Sequence, residues 1–395
     1  MAPYLLFTGG YVDGEILILA FDPVAGTLKE VSKASNIGNA PTWLVPSSDG
    51  KFLYAADEWG EPEGELIALE VLDEGKLTRL STVKSGGLWP CHSGLLASAT
   101  PARLLTTNYK GATLSSVALL PSGDFDKLHP VQLVPFFEQA TLGPNTQRQE
   151  QAHPHGAHVD PRGVVCVVPD LGTDELRLVG IKPDGEMEAL ESIALESGDG
   201  PRHVLFAGED RLYVLNELSN SISVFSYAYP PSSSASPYPS FTLLQSRVSL
   251  LPPSPMAHQS SFASWHAAEL AVTPDGRTLI ASNRAEGHDP LHGTREGPHD
   301  LLAVFALRRD GTLDEASRKL VDCGGRAPRH FALSSESVRL KGKGDKAVEE
   351  GRYLAVANHD SDDIVVFERT GEAGRELREV ARREGVARAG IVLWA

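Results

Sequence analysis

Residues 200–225, GPRHVLFAGEDRLYVLNELSNSISVF, decide how the rest of the chain is read. Apolar and polar residues alternate there in three short segments, broken by a turn at Gly208-Glu209-Asp210 and a polar bend at 217–221. That pattern predicts three consecutive antiparallel strands. The same order of parts returns in APRHFALS at 327–334 and, after an interruption, in GRYLAVANHDSDDIVVFER at 351–369. Each copy runs Pro-Arg-His, apolar strand, turn, apolar strand ending in Asn, polar bend, apolar strand. A unit that recurs at this length marks a repeat architecture.

Working outward, Pro41-Thr42-Trp43, Pro90-Cys91-His92 and Pro154-His155-Gly156 each open a similar unit, and a further one begins near Ala267-Ala268-Glu269. Unit starts lie about 45 to 65 residues apart, and a weaker fourth strand such as KLTRLSTVKS closes most of them. Four strands per unit at this period, with no long helical pattern, predict an all-β fold, a β-propeller whose blades are the units and whose leading strands line a central channel. Six units are complete. The N-terminus supplies YLLFTGGY, EILILAFD and TLKEVSKA without a leading strand, and the C-terminus ends in the orphan AGIVLWA. Pairing the two ends in one blade gives a seven-bladed ring with no open edge. The chain is expected to be a single propeller domain over 1–395, interrupted by Pro/Ser-rich residues 228–262, by 286–300 and by the charged run 335–350. The three histidines of 286–300 have no spacing that imposes a common face, so no metal site is expected there.

Composition narrows the function classes. The formal net charge is −16, which argues against general affinity for nucleic acid or anionic membranes. No apolar run is long enough to span a bilayer, and MAPYLLFTGGYVDGE has neither a basic leader region nor a small-residue cleavage site, so a cytoplasmic protein is expected. Cys91, Cys166 and Cys323 lie far apart and form no CxxC pair, which argues against a disulfide framework or a structural zinc site.

Aligning the units brings chemistry together. The start of the first strand and the end of the second share one rim of an antiparallel pair. Residues at those places in every blade should therefore converge on one mouth of the channel. The position after the leading proline reads Thr42, Cys91, His155, Arg202, Ala268, Arg329, and the next reads Trp43, His92, Gly156, His203, Glu269, His330. The second strands end in Asp57, Asn108, Asp170, Asn216, Asn283 and Asn358, a uniform column assigned to turn chemistry in which a short side chain caps backbone amides. Its neighbour reads Glu58, Tyr109, Leu171, Glu217, Arg284, His359. A structural repeat asks for the same residue in each blade. These columns mix cation, acid, imidazole and aromatic, as one asymmetric ligand site requires, and Arg202, Arg284 and Arg329 suit a small anion held through paired guanidinium hydrogen bonds. His92, Tyr109, His203, Glu269, Arg329 and His330 are the expected substrate contacts.

GPRHVLF with YVLNELSNSISVF, HPHGAHVDP with PDLGTDELRL, TPDGRTLIASNR, and PRHFALS with YLAVANHDSDDIVVF together resemble the lactonase family of seven-bladed propellers, over nearly the whole chain from Tyr4 to Phe367. That family includes 6-phosphogluconolactonases and a fungal muconate lactonizing enzyme. The resemblance implies a catalytic set of His155, Arg202, Glu217 and Arg284, each of which keeps its residue type. The strand SGLLASATPARLL and the long interruptions depart from the family pattern.

Residue types alone support ring chemistry at a carbonyl. Glu217 or His155 is the candidate acid or base, provided the pocket brings its pKa toward neutrality. Arg202 and Arg284 would hold a carboxylate or phosphate and offset developing negative charge. No Gly-x-Ser-x-Gly elbow is present, and no carboxylate or histidine cluster calls for a metal, so a site without cofactor is expected. The leading expectation is hydrolysis of an anionic sugar-acid lactone. An intramolecular lyase acting on a muconolactone is the second, and a non-catalytic binding propeller the third.

Overall fold

The computed structural model describes residues 4–136, 141–234, 236–251, 265–285, 299–334 and 350–395. They form seven antiparallel sheets arranged as a seven-bladed propeller, with helical turns confined among the described residues to Asp73–Gly75 and Glu372–Gly374. Blade one is the composite that the orphan segments predict. Ala389–Trp394 pairs antiparallel with Tyr4–Gly10, which continues to Ile16–Asp22 and Thr27–Ala34. The C-terminal strand is its innermost member, as Pro41–Pro46 is in blade two and Pro90–Leu96 in blade three. Blade four starts from the short His158–Val159, while Pro201–Ala207, Trp265–Val272 and Pro328–Leu333 lead blades five to seven.

Alternation along these strands buries one face of each blade against the next. Seven apolar clusters result, one at each interface of the ring. Leu6, Phe21, Tyr353 and Val366 join blades one and seven, for example, and Tyr213, Val224, Leu279 and Phe305 join blades five and six. Because the core is divided among interfaces, the channel axis is left to polar side chains.

The expected interruption at 228–262 is shorter than its composition suggests. Ser240–Ser249 is the outer strand of blade five, paired with Ser221–Ala228, and half-exposed or exposed along most of its length. An outer strand packs on one side only, so its polar sequence carries little apolar periodicity. Residues 252–264, 286–298 and 335–349, which hold the end of the first expected interruption and nearly all of the other two, lie outside the described residues; His299 Nδ1 donates to Asp322 Oδ1 at 2.7 Å.

The uniform Asp/Asn column divides by chemistry. Asp57 and Asp170 accept backbone amides, from Ala40 at 2.7 Å and from His153 at 2.7 Å, as expected of caps. The asparagines instead donate through Nδ2, Asn108 to the Ser85 carbonyl and Asn358 to that of Cys323. Asp57, Asp170, Asn108 and Asn358 thereby tie the end of a second strand to the segment entering the same blade, whereas Asn216 Nδ2 donates to the Ser221 and Ser223 hydroxyls of the strand that follows it.

Candidate active site

A repeated backbone irregularity builds the mouth. In the inner strand pairs the register slips between Pro41 and Trp43, Pro90 and His92, Pro201 and His203, Ala267 and Leu270, and Pro328 and His330. Blade one does the same, since Gly10 faces Ala389 while Gly9 faces Ile391. A bulge of this kind leaves one residue unpaired and turns it out of the ladder. That residue is the one after the leading proline. Thr42, Cys91, His155, Arg202, Arg329 and the blade-one equivalent Gly390 accordingly line one cavity together with Tyr11 and Trp43.

Glu217 is the centre of the charges. It is fully buried and meets Arg202 Nη1 at 2.7 Å through Oε2, and Arg148 Nη2 at 2.6 Å and Arg284 Nη2 at 3.1 Å through Oε1. Arg202 Nη1 also lies 2.5 Å from His155 Nε2, and its Nε donates to the Ala268 carbonyl at 2.8 Å. A guanidinium only donates, so Nε2 of His155 accepts and the neutral ring carries its proton on Nδ1, which faces Cys91 Sγ at 3.9 Å. On the far side, Glu58 accepts from Thr42 Oγ1 at 2.7 Å, and Arg329 sits 4.7 Å over the Tyr11 ring.

His155, Arg202, Glu217 and Arg284, the four residues singled out in sequence, thus form one connected group, and Arg329 lines the same cavity. Tyr109 flanks the group, its ring 5.3 Å from that of His155. The other expected contacts lie one layer below. His92, His203, Glu269 and His330 are buried near Trp43, with the His92 ring tilted 31° to it at 4.1 Å between centroids, His203 Nδ1 3.2 Å from Glu269 Oε1, and His330 Nε2 3.5 Å from Glu269 Oε2. For His92, His203 and His330 the bulge explains the division, because the unpaired residue turns toward the mouth and the next one returns to the ladder, while Glu269 itself lies in the blade-six register break between Ala267 and Leu270.

The condition for Glu217 or His155 to act as acid or base, a pKa brought toward neutrality, is not met in the free pocket. Burial pushes the Glu217 carboxyl up, but Arg284, Arg148 and Arg202 outweigh it and hold the group well below the usual carboxylate range. Burial, with Arg202 adding to it, keeps His155 well below the usual histidine range. Burial likewise lowers Arg284 to about 10 and raises Glu269. Without substrate, Glu217 is a fixed anion and His155 a neutral acceptor.

Three residues of the site were not anticipated. Tyr11 occupies in blade one the place that Glu217 and Arg284 occupy in theirs, one step beyond the end of the second-strand equivalent Tyr4–Gly10, and aligning FTGGY with the other second strands would have found it. Gly390 hides in an inner strand that lacks the leading proline. Arg148 comes from the loop 141–152, which follows no repeat. That loop lies hard against blade four: Gln149 Nε2 donates to the Leu171 carbonyl at 2.9 Å and to Asp174 at 2.8 Å, and a Cβ on Gly172 would stand 1.7 Å from the Gln151 carbonyl oxygen.

The buried histidines make a pH prediction. Burial lowers His330 to about 4 from an ordinary 6.5, against the pull of Glu269. The unfolded chain therefore takes up protons below pH 6.5 that the folded chain refuses, so stability is complete above that pH and falls toward pH 4, by about 1.4 kcal/mol per pH unit for each such proton. His92, His155, His158 and His203 shift in the same direction, and Glu217 adds a loss below 4.5, while the raised Glu269, Asp199 and Asp363 oppose them. Melting temperature measured from pH 8 to pH 4.5 is expected to drop steeply below 6.5; a flat profile would contradict the packing of this layer.

A family model described as lactonase, seven-bladed β-propeller, matches residues 5–394. The chain belongs to the lactonase family. Relatives of this lactonase-family propeller include the 6-phosphogluconolactonase of Bacillus subtilis, 28% identical over 382 residues that cover 95% of this chain and 94% of the relative. That of Formosa agariphila is 24% identical over 385 residues, covering 94% of each. The periplasmic gluconolactonase of Pseudomonas aeruginosa superimposes with a TM-score of 0.77 at 23% identity, over 99% of this chain and 98% of that one, and shares the fold. No described helix of this lactonase-family chain is long and apolar enough to cross a membrane.

Proposed function

We propose that this protein hydrolyses the lactone of an anionic sugar acid, 6-phosphogluconolactone being the reference substrate, at the mouth formed by the bulged residues. The observation that carries the proposal is the convergence of Arg148, Arg202 and Arg284 on Glu217, with His155 against Arg202, in a chain whose relatives carry the 6-phosphogluconolactonase name. An anionic substrate competes with Glu217 for these guanidinium groups. When the lactone carbonyl takes over the Arg202 Nη1 hydrogen bond that His155 accepts, Nε2 of His155 is released as a base. Water then gives a proton to Nε2 and its oxygen bonds to the carbonyl carbon, while Arg202 and Arg284 stabilise the oxyanion. Collapse of that intermediate breaks the ring C–O bond, and the departing alkoxide takes the proton back from His155. Glu217 keeps the arginines in place throughout. Its strongly acidic character suits a fixed counterion rather than a proton carrier.

The same names favour hydrolysis over the muconolactone lyase and over a binding platform without turnover. We place the reaction in the cytoplasm, where the buried free thiols of Cys91, Cys166 and Cys323 stay reduced. Opening a lactone to an acid at neutral pH releases a proton, so a pH-stat assay measures it directly. Acidification by 6-phosphogluconolactone well above the spontaneous rate is expected, and a rate equal to the blank would dismiss the proposal.

A further inference from the structure

The mouth has two unlike walls. One is the group of guanidinium and imidazole side chains around Glu217. The other comes from blades one and two, whose bulge positions are Gly390 and Thr42, and there the column that supplies Glu217 in blade five supplies Tyr11 and Glu58. Gly390 makes room for this wall, since a Cβ on it would stand 3.3 Å from Cε2 of Tyr11 and 3.5 Å from Cβ of Thr42. The Tyr11 ring is held in place by Trp59 at 5.5 Å and His359 at 5.2 Å between centroids, with the Arg329 guanidinium 4.7 Å over it.

Two hydroxyl groups of this wall share one carboxylate. Thr42 Oγ1 donates to Glu58 Oε2 at 2.7 Å, and the Tyr11 hydroxyl donates to Glu58 while accepting from Arg329. Burial pushes the Tyr11 hydroxyl up, so it keeps its proton and remains a donor to Glu58. A hydroxyl has one proton and two lone pairs. With each proton committed to a carboxylate, Thr42 and Tyr11 present acceptor oxygens to the cavity they both line, and donation to an anion strengthens those acceptors. The guanidinium groups of the opposite wall only donate. A sugar lactone matches this division, because its hydroxyls can donate while its carbonyl oxygen accepts.

We infer that Tyr11 and Thr42, backed by Glu58, accept hydrogen bonds from the ring hydroxyls of the lactone and so turn its carbonyl toward Arg202 and Arg284, which makes them the contacts that select polyhydroxylated over unsubstituted lactones. This deepens the lactonase reading above and rests on it for the kinetic test, but not for the binding test. A site built to pair hydroxyls discriminates against a ring that lacks them, since that ring covers polar atoms without pairing them.

The test uses Tyr11→Phe and Thr42→Val, which keep the shapes and remove one oxygen each, and Thr42→Ser, which keeps the oxygen, each assayed below the onset of its own melting. The ratio of kcat/KM for glucono-1,5-lactone to kcat/KM for δ-valerolactone, the same ring without hydroxyls, is expected to fall about 5–10-fold in Tyr11→Phe and in Thr42→Val and to keep its wild-type value in Thr42→Ser. An unchanged ratio in either of the first two overturns the inference, whether both lactones lose equally, as a purely structural prop for Glu58 would cause, or neither loses. An equal fall in Thr42→Ser overturns it too. Calorimetric binding of 6-phosphogluconate, the product, gives an answer without turnover. Affinity weaker by about 5-fold or more in Tyr11→Phe and in Thr42→Val supports the inference, and equal affinity, or a wild type that binds no 6-phosphogluconate, overturns it. A wild type that binds the product through these hydroxyls yet hydrolyses no lactone retires the lactonase proposal and leaves this one standing.

Discussion

Replacing Glu217 with alanine is expected to destabilise the fold by about 3–5 kcal/mol, because it strands buried positive charge. Arg202 and Arg284 sit inside the blades with side-chain exposures of 6% and 9%, and Glu217 is the carboxylate that both contact. Glu217→Gln keeps the shape and two hydrogen-bonding atoms but not the charge, and should fall between the wild type and alanine. Urea unfolding measures the loss. Inorganic phosphate should restore more stability to Glu217→Ala than to the wild type, since an anion bound only by the folded state stabilises it. If Glu217→Ala unfolds at the same urea concentration as the wild type, the arginine cluster is not held by that carboxylate.

Removing Arg202 is expected to have the largest effect on turnover. It is the one side chain that touches Glu217, His155 and the backbone of the neighbouring blade at once. Arg202→Lys retains a charge but cannot span these partners, and kcat should fall about 10²–10³-fold, the loss typical of one missing oxyanion donor. Arg202→Ala should lose at least as much and also cost about 1–3 kcal/mol for the Ala268 carbonyl left without its donor. Steady-state kinetics on the phosphorylated lactone decide this. A variant that keeps kcat while losing only stability would make Arg202 a strut between blades.

The sequence carried the ring because most blades repeat a short grammar, a leading proline opening one strand and a second strand ending in Asp or Asn, and repetition made the unlike residues in otherwise matching columns visible. His155, Arg202, Glu217 and Arg284 were legible for that reason. What stayed hidden follows from the same logic. Blade one is assembled from both ends of the chain and begins with Ala389 rather than proline, so Tyr11 and Gly390 had no column to stand in. Arg148 belongs to a loop outside the repeat and had no counterpart to be compared with. The division of His92, His203, Glu269 and His330 into a lower layer depends on a one-residue bulge, which alternation of apolar and polar residues does not encode. Direct effects of neighbouring charge were also out of reach: the condition that the pocket bring Glu217 toward neutrality is not met, because three cations, one of them from the unrepeated loop, surround it.

The innermost strand of blade one, Ala389–Trp394, is translated long after Tyr4–Gly10, the strand it must meet. At typical elongation rates roughly 20–80 s separate the two. For all of that interval the nascent ring is an open arc with bare hydrogen-bonding edges at both extremities. Those edges stay open until Ala389–Trp394 emerges, and a ribosome that stalls before that strand would leave behind a sticky crescent instead of a closed ring.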